Sequence, residues 1–220
     1  VLQNDAIVVM CTYNEADNVG GILTELSALG YSTILVDSSS SDGTAEIAGN
    51  FARVQVNVVP NRGIAAAYRH GLSLGCKEPV EFVVQMDAGW THDPTLIFPM
   101  LLDAQMTHTG LTIGSRFYQA ASVLGYRTAL SLGAAWLMRR RGVPVRDATS
   151  GFRVWRRETL QAALAGPMRA RGFAFQLELL WNAHRAGTVI AEYPIPYRLT
   201  NSSFRWGMVV EALTIVGGLS

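Results

Sequence analysis

Two cysteines in 220 residues, Cys11 and Cys76, are too few for a disulfide framework, and they are not spaced as a metal-binding pair. A reducing compartment is the simpler expectation. Charge is sparse as well. Asp, Glu, Lys and Arg make up 16% of the chain and the net charge is +1, so nothing draws it in bulk to nucleic acid, and no nucleic-acid partner is expected. No apolar run approaches the roughly 20 residues of a membrane-spanning helix. The nearest runs, 129–138 and 207–219, are short or carry Glu211. No targeting pattern is visible at the start, where the first apolar run follows Gln3-Asn4-Asp5. The last residues, Gly217-Gly218-Leu219-Ser220, carry no polar tail, which leaves open a continuation of the native chain past Ser220.

Missing motifs narrow the chemistry further. The first apolar run is followed by Tyr13-Asn14-Glu15, where a dinucleotide-binding chain would have a G-x-G-x-x-G turn. Without that turn a pyrophosphate has no helix N-terminus to approach closely. There is no P-loop and no H-E-x-x-H. A dehydrogenase, a P-loop NTPase and a zinc peptidase are all argued against.

What is present is apolar substance, 49% of the residues, arranged in short β-branched runs that alternate with helical spacing. Strands are expected over 6–11, 33–36, 54–59 and 82–86, with helices over 17–29, 42–50 and 64–74 between them. A helix-like segment is expected behind Pro94. This alternation predicts βαβ units and a mostly parallel sheet flanked by helices, an α/β, Rossmann-like nucleotide-binding layer. Beyond it the pattern is less regular: a strand over 111–114, a helix over 129–138, a polar loop over 147–153, a helix over 173–184 and a strand over 189–193. No repeat or linker marks a boundary. One domain is therefore expected over 1–220, with a nucleotide-binding half over 1–110 and an acceptor-binding half over 111–220.

The chain is organised around Gln85-Met86-Asp87-Ala88-Gly89-Trp90-Thr91-His92-Asp93. A strand that ends on a carboxylate at the mouth of an α/β sheet lies where such folds place ligands. Asp37, at the end of an earlier run, would put a second carboxylate on the same rim. Two carboxylates there suit a nucleotide with a divalent cation. The plain alternative for such an Asp is a helix cap.

Seven short motifs then occur in order: Thr12-Tyr13-Asn14-Glu15, Val36-Asp37 with Asp42-Gly43-Thr44, Asn61-Arg62-Gly63, Met86-Asp87-Ala88, Gly114-Ser115-Arg116, Asp147-Ala148-Thr149-Ser150-Gly151-Phe152-Arg153, and Glu192-Tyr193-Pro194-Ile195. Together they resemble the inverting family 2 glycosyltransferases of GT-A fold, and within them the dolichol-phosphate (polyprenyl-phosphate) mannose synthase branch. The resemblance runs from about Val8 to Arg205. It implies that Thr12, Tyr13, Glu15 and Asp37 contact the base and ribose of a nucleotide-sugar donor. Arg62 is expected either to reach donor phosphates or to be an exposed turn residue, and Asp42 to cap its helix. Asp87 would be the first carboxylate of the family's Asp-x-Asp metal motif, holding Mg²⁺ or Mn²⁺ on the donor diphosphate. Arg116, Arg127 and Ser131 would hold the lipid phosphate, for which arginine forks are suited. Asp147 is the candidate base if the acceptor is a sugar hydroxyl; otherwise it is a turn cap or a salt-bridge partner of Arg146 or Arg153.

The sequence departs from that pattern twice. Gly89 stands where the second metal carboxylate belongs, so Asp93 or His92 is the candidate substitute, with a helix cap as the alternative for Asp93. In the tail, Arg198 and Ser203 match the branch, but Phe204 stands in the place of a lysine and Arg205 could supply the charge. The basic run 139–141 is expected to be a solvated helix end or a contact for anionic headgroups, and 206–219 to pack in the core or lie on a membrane. The expected function is transfer of a hexose from GDP-mannose or a UDP-hexose to a polyprenyl phosphate, by a protein peripheral on the cytoplasmic face of a membrane. The alternatives are a family 2 transferase with a carbohydrate acceptor and a non-catalytic sugar-nucleotide binder.

Overall fold

The computed structural model describes residues 3–118 and 126–196, together with 211, 214, 215, 217 and 218. Its first half alternates as the apolar periodicity predicts: β1 Ala6–Thr12, α1 Ala16–Ala28, β2 Ser32–Asp37, α2 Thr44–Gly49, β3 Val54–Val58, α3 Ile64–Gly75 and β4 Phe82–Gln85. A 3₁₀ turn, Pro94–Leu96, leads into α4 Ile97–Thr107 and then β5 Leu111–Ser115. There follow α5 Tyr126–Arg140, β6 Arg153–Arg156, α6 Arg157–Ala165, α7 Phe175–Arg185 and β7 Ile190–Pro194. Among the described residues no helix is long and apolar enough to cross a membrane.

The strands form one seven-stranded sheet in the order β3-β2-β1-β4-β6-β5-β7. All neighbours are parallel except β6, which runs antiparallel to both β4 and β5. Neither the reversal of β6 nor α6 was expected from periodicity, because a run as short as Arg-Val-Trp-Arg carries no signal of direction. The reversal decides where the 147–152 loop lies. β5 ends at the rim, and the chain re-enters the sheet from that same side, so the start of β6 faces the ends of its neighbours. Arg153 pairs in register with Gln85 of β4 and Ile113 of β5. Pro194 ends β7, an edge strand, where a missing backbone donor is tolerated.

Both faces of the sheet are covered, which is why β1 and β4 read as continuous apolar runs. On one face Ile7, Val9, Ile34, Val36 and Val83 pack with α3, α6 and α7. On the other, Val8, Met10, Leu35 and Val84 pack with α1 and α4. Each such buried aliphatic side chain stabilises the fold by about 1.5–3 kcal/mol. Helix α3 lies unusually close to the sheet. A Cβ at Gly71 would stand 2.8 Å from Val9 Cγ1 and 2.9 Å from Val36 Cγ2, so only glycine fits there. That approach brings Tyr68, one turn earlier, to the rim.

Candidate active site

The ends of β1, β2, β4 and β5 and the start of β6 define one rim. Thr12 and Asp37 are register partners there, and Thr12 Oγ1 donates to Asp37 Oδ2 at 2.9 Å. Ser40 donates its backbone N–H to Asp37 Oδ1 at 2.7 Å and its hydroxyl to Oδ2 at 2.6 Å. Asp37 is completely buried. A buried carboxylate with three donors holds the β2–α2 loop in shape.

Asp42 ties two helix starts together. It accepts from Thr44 N–H at the beginning of α2 and from Ala16 N–H at the beginning of α1. The Thr44 hydroxyl, first, and the Ala16 amide, second, lower its pKa. Capping is therefore the role its geometry supplies. Beside it, the Tyr13 ring is 55% exposed at the rim, and Glu15 Oε2 accepts from Asn18 Nδ2 at 2.9 Å.

Asp87 follows the last residue of β4 by two positions. The Tyr68 hydroxyl lies 2.9 Å from both Asp87 Oδ1 and the Met86 carbonyl. Burial, and next the charge of Asp87, push the Tyr68 pKa well up, so the phenol remains a donor. The Asp87 amide donates to His92 Nδ1 at 3.0 Å, while His92 Nε2 lies 3.9 Å from Asp87 Oδ2. The His92 ring stacks on Phe152 with centroids 5.0 Å apart. Burial pushes the His92 pKa down, against the pull of Asp87. A neutral imidazole with its proton on Nε2 satisfies that geometry. The side chain of Asp87 is 38% exposed and faces the rim.

This donor set restricts a cation. Gly89 contributes no side chain, His92 Nδ1 is taken by Asp87, and Asp93 Oδ1 accepts from the Thr95 amide at 3.0 Å and the Thr95 hydroxyl at 2.6 Å. Asp93 thus caps the Pro94–Leu96 turn. Among the described residues no group of three His, Cys, Asp or Glu side chains is arranged to hold a metal ion. The residues fit a divalent ion that arrives with a diphosphate, since Mg²⁺ is commonly held by one or two carboxylates plus substrate phosphates. They do not fit a site built from protein alone.

Arg116, Ser131 and Asp147, which the resemblance assigns to the acceptor side, come together around Thr149. Arg116 leaves β5 and grips Asp147 bidentately, Nε to Oδ2 and Nη2 to Oδ1, each at 2.7 Å. Its amide also donates to Asp147 Oδ2 at 3.1 Å. Arg116 Nη2 reaches Thr149 Oγ1 at 2.8 Å, and Thr149 Oγ1 donates to Ser131 Oγ at 3.0 Å. The Asp147 side chain is fully buried and that of Arg116 is 22% exposed. Asp147 is therefore the salt-bridge partner of Arg116, not of Arg146 or Arg153. Both of its oxygens are occupied.

Arg153 serves the loop instead. Fully buried, it donates to the carbonyls of Ala148, Ser150 and Gln176 at 2.9, 2.9 and 3.0 Å. Burial lowers its pKa to about 9, which leaves it cationic at neutral pH. Glu192 completes the frame, accepting from the amides of Arg146 and Asp147 at 2.9 and 2.7 Å. Gly151 then passes close to Asp87: a Cβ there would stand 3.3 Å from Asp87 Oδ1.

Arg62 is exposed, and its loop docks on a second one, with Ala65 N–H donating to Arg171 O at 3.3 Å. Arg127 lies on α5, but its side chain falls outside the described residues, as do Arg198, Ser203, Arg205 and most of 206–219. Sequence reasoning missed three residues. Glu192 sits in the Glu-Tyr-Pro-Ile motif and could have been found there. Tyr68 was signalled only by being a large aromatic in a helix of small residues. Gln176 carried no signal.

Residues 7–164 match the family described as Glycosyl transferase family 2. The chain is 32% identical over 203 residues to a polyprenol monophosphomannose synthase of Mycolicibacterium smegmatis, covering 87% of this chain and 76% of the relative. It is 30% identical over 224 residues to an undecaprenyl-phosphate mannosyltransferase of Micrococcus luteus, covering 96% and 91%. Among solved structures, a glucosyl-3-phosphoglycerate synthase of Mycobacterium tuberculosis, bound to Mn²⁺, UDP and glucosyl-3-phosphoglycerate, superposes with a TM-score of 0.75 at 21% identity. That match covers 98% of this chain and 80% of the other. A mannosyl-3-phosphoglycerate synthase of Rubrobacter xylanophilus gives 0.73 at 18% identity, covering 96% and 71%. Those two likenesses speak for the fold. The chain has the GT-A fold, belongs to glycosyl transferase family 2, and is a glycosyltransferase.

Proposed function

We propose that this protein moves a hexose, with inversion, from a nucleoside diphosphate sugar such as GDP-mannose or a UDP-hexose to a polyprenyl phosphate. One observation carries the choice of acceptor. The only acidic side chain in the 147–153 loop, Asp147, is buried with both oxygens bound by Arg116, so it is not placed to take a proton from a sugar hydroxyl. A hydroxyl acceptor needs such a base. A phosphate monoester arrives already ionised and needs an anion cradle instead, which Arg116, Thr149 and Ser131 supply.

On this reading residues 1–110 hold the donor and 111–220 the acceptor. An oxygen of the acceptor phosphate attacks the anomeric carbon, and the bond to the donor diphosphate breaks with its electron pair. No proton moves. Tyr13 would offer a face to the base, and the exposed Arg62 would pair with the donor diphosphate. A divalent ion shared between Asp87 and the diphosphate would neutralise charge on the leaving group. A lipid acceptor also requires a membrane surface. Leu132 and Trp136, one turn apart on α5 and 44% and 50% exposed, support such a contact, with the Arg140 guanidinium 4.8 Å over the Trp136 ring.

The test is nucleoside diphosphate release from a panel of GDP- and UDP-sugars, with and without polyprenyl phosphate and Mn²⁺ or Mg²⁺. Release that requires the lipid phosphate is expected; release stimulated only by a sugar acceptor would overturn the reading. Gly89 favours a second reading, a non-catalytic binder, which nucleotide-induced thermal protection with no product would reveal. Gly89 also permits a direct check on the ion. A Cβ there would meet nothing nearer than Thr91 Oγ1 at 3.7 Å, so a side chain fits. Gly89→Asp is expected to tighten Mn²⁺ binding to the nucleotide-free protein about tenfold, measured by titration calorimetry, because a second carboxylate raises the ligand charge.

A further inference from the structure

Gln176 stands in the second position of α7 and is 3% exposed. Its Oε1 is buried without a hydrogen-bond partner among the described residues. Such a group is costly to leave unmade, so an orphan at a rim where chemistry occurs points to a ligand. Its surroundings fix which one. The point where a Cβ of Gly151 would stand lies 3.5 Å from Gln176 Nε2, 3.3 Å from Asp87 Oδ1 and 3.5 Å from His92 Cε1. Gln176 thus flanks the carboxylate on one side of a loop whose other end, at Asp147 and Thr149, holds Arg116. Its backbone carbonyl accepts from Arg153 Nη1 at 3.0 Å, which fixes the start of α7 beside the loop.

We infer that the Gln176 amide reads a hydroxyl group of the transferred hexose, and so helps determine which sugar is accepted. This rests on the transferase reading above. In a single displacement the sugar lies between the leaving diphosphate, on the Asp87 side, and the attacking phosphate, on the Arg116 side. The unpaired atom of this amide, Oε1, is an acceptor. Phosphate oxygens are acceptors too and cannot satisfy it, whereas a sugar O–H can donate to Oε1 and accept from Nε2. A neutral amide also distinguishes hydroxyl positions without adding charge beside Asp87.

The test compares the wild type with Gln176→Met, which keeps the volume and removes the amide. Substrates are a nucleoside diphosphate hexose and its set of singly deoxygenated analogues, with polyprenyl phosphate as acceptor. For the complete hexose, kcat/KM is expected to fall roughly 10–100-fold. For one deoxy analogue the two proteins should be equal. Affinity for the nucleoside diphosphate alone should be unchanged, and Tm should rise by about 2–4 °C as the unpaired buried acceptor disappears. A merely structural glutamine would instead lower Tm and reduce turnover of every donor alike, and that result would overturn the inference. If neither protein turns over any donor, the transferase reading fails separately. Calorimetry then still decides Gln176: loss of only the affinity that the hexose adds over the nucleoside diphosphate supports it, and no difference refutes it.

Discussion

Asp87→Asn is expected to lower transfer by about 10²–10³-fold, the cost usual for removing one preorganised electrostatic group from a reacting centre. The substitution is chosen because it keeps the local frame. An asparagine oxygen can still accept from the Tyr68 hydroxyl, and the backbone N–H still donates to His92 Nδ1. The fold should therefore hold, with Tm changed by no more than about 2–4 °C. What disappears is the charge 38% exposed at the rim, the only carboxylate in the 85–93 stretch that is not engaged as a cap. Steady-state kinetics and a thermal melt on the same preparation check both halves. A variant that keeps more than a tenth of wild-type activity would place the chemistry elsewhere on the rim. The same variant should lose the part of nucleotide affinity that depends on Mn²⁺.

Asp147→Asn is expected to have the largest effect on stability. It leaves Arg116 facing a neutral amide inside the protein, and breaking one side of a buried ion pair costs about 3–5 kcal/mol. For a chain of this size that corresponds to a fall in Tm of about 6–20 °C. The kinetic effect should appear as a raised KM for the lipid phosphate, since the arginine that would hold it is no longer fixed by two 2.7 Å bonds. A direct catalytic base would behave differently: kcat would fall with KM unchanged, and the acidic limb of the pH profile would vanish. A paired replacement separates folding from function. Arg116→Met with Asp147→Leu removes both charges, so it should recover much of the lost stability while leaving transfer to the lipid phosphate impaired. Thermal melts and acceptor titrations on the single and double variants decide between these outcomes.

Much of the fold is written locally. The β-branched runs at Ala6, Thr33 and Phe82 and the helical spacing of Val19, Ile22, Leu23 and Leu26 depend only on near neighbours, and they appear as β1, β2, β4 and α1 within a residue or two. The carboxylates at Asp37 and Asp87 were legible for the same reason, as polar residues closing apolar strands. Gly89 was legible as a departure from a motif, Arg116, Arg127 and Ser131 as a set of phosphate ligands, and Asp147 as a separate candidate base.

How they meet was not legible. By proximity in sequence Asp147 has Arg146 and Arg153 at hand, yet it binds Arg116, 31 residues away. The reason is the reversal of β6, which directs the 147–152 loop back over the end of β5. Arg153 is carried inward by the same strand and satisfies carbonyls instead. Tyr68 reaches Asp87 because Gly71 and Gly75 let α3 settle on the sheet. Asp93 is the exception: of the two roles its sequence offered, metal ligand or helix cap, it takes the local one and caps Thr95 two residues on. Gln176 stood out only once α7 was docked with the side-chain Oε1 left unpaired. The sequence by itself determined the alternation of elements and the residue types available at the rim, because periodicity and strand ends act over a few residues. Which carboxylate is buried against which arginine, and which polar atom is left for a substrate, was decided by strand direction and helix approach, which bring together groups tens of residues apart.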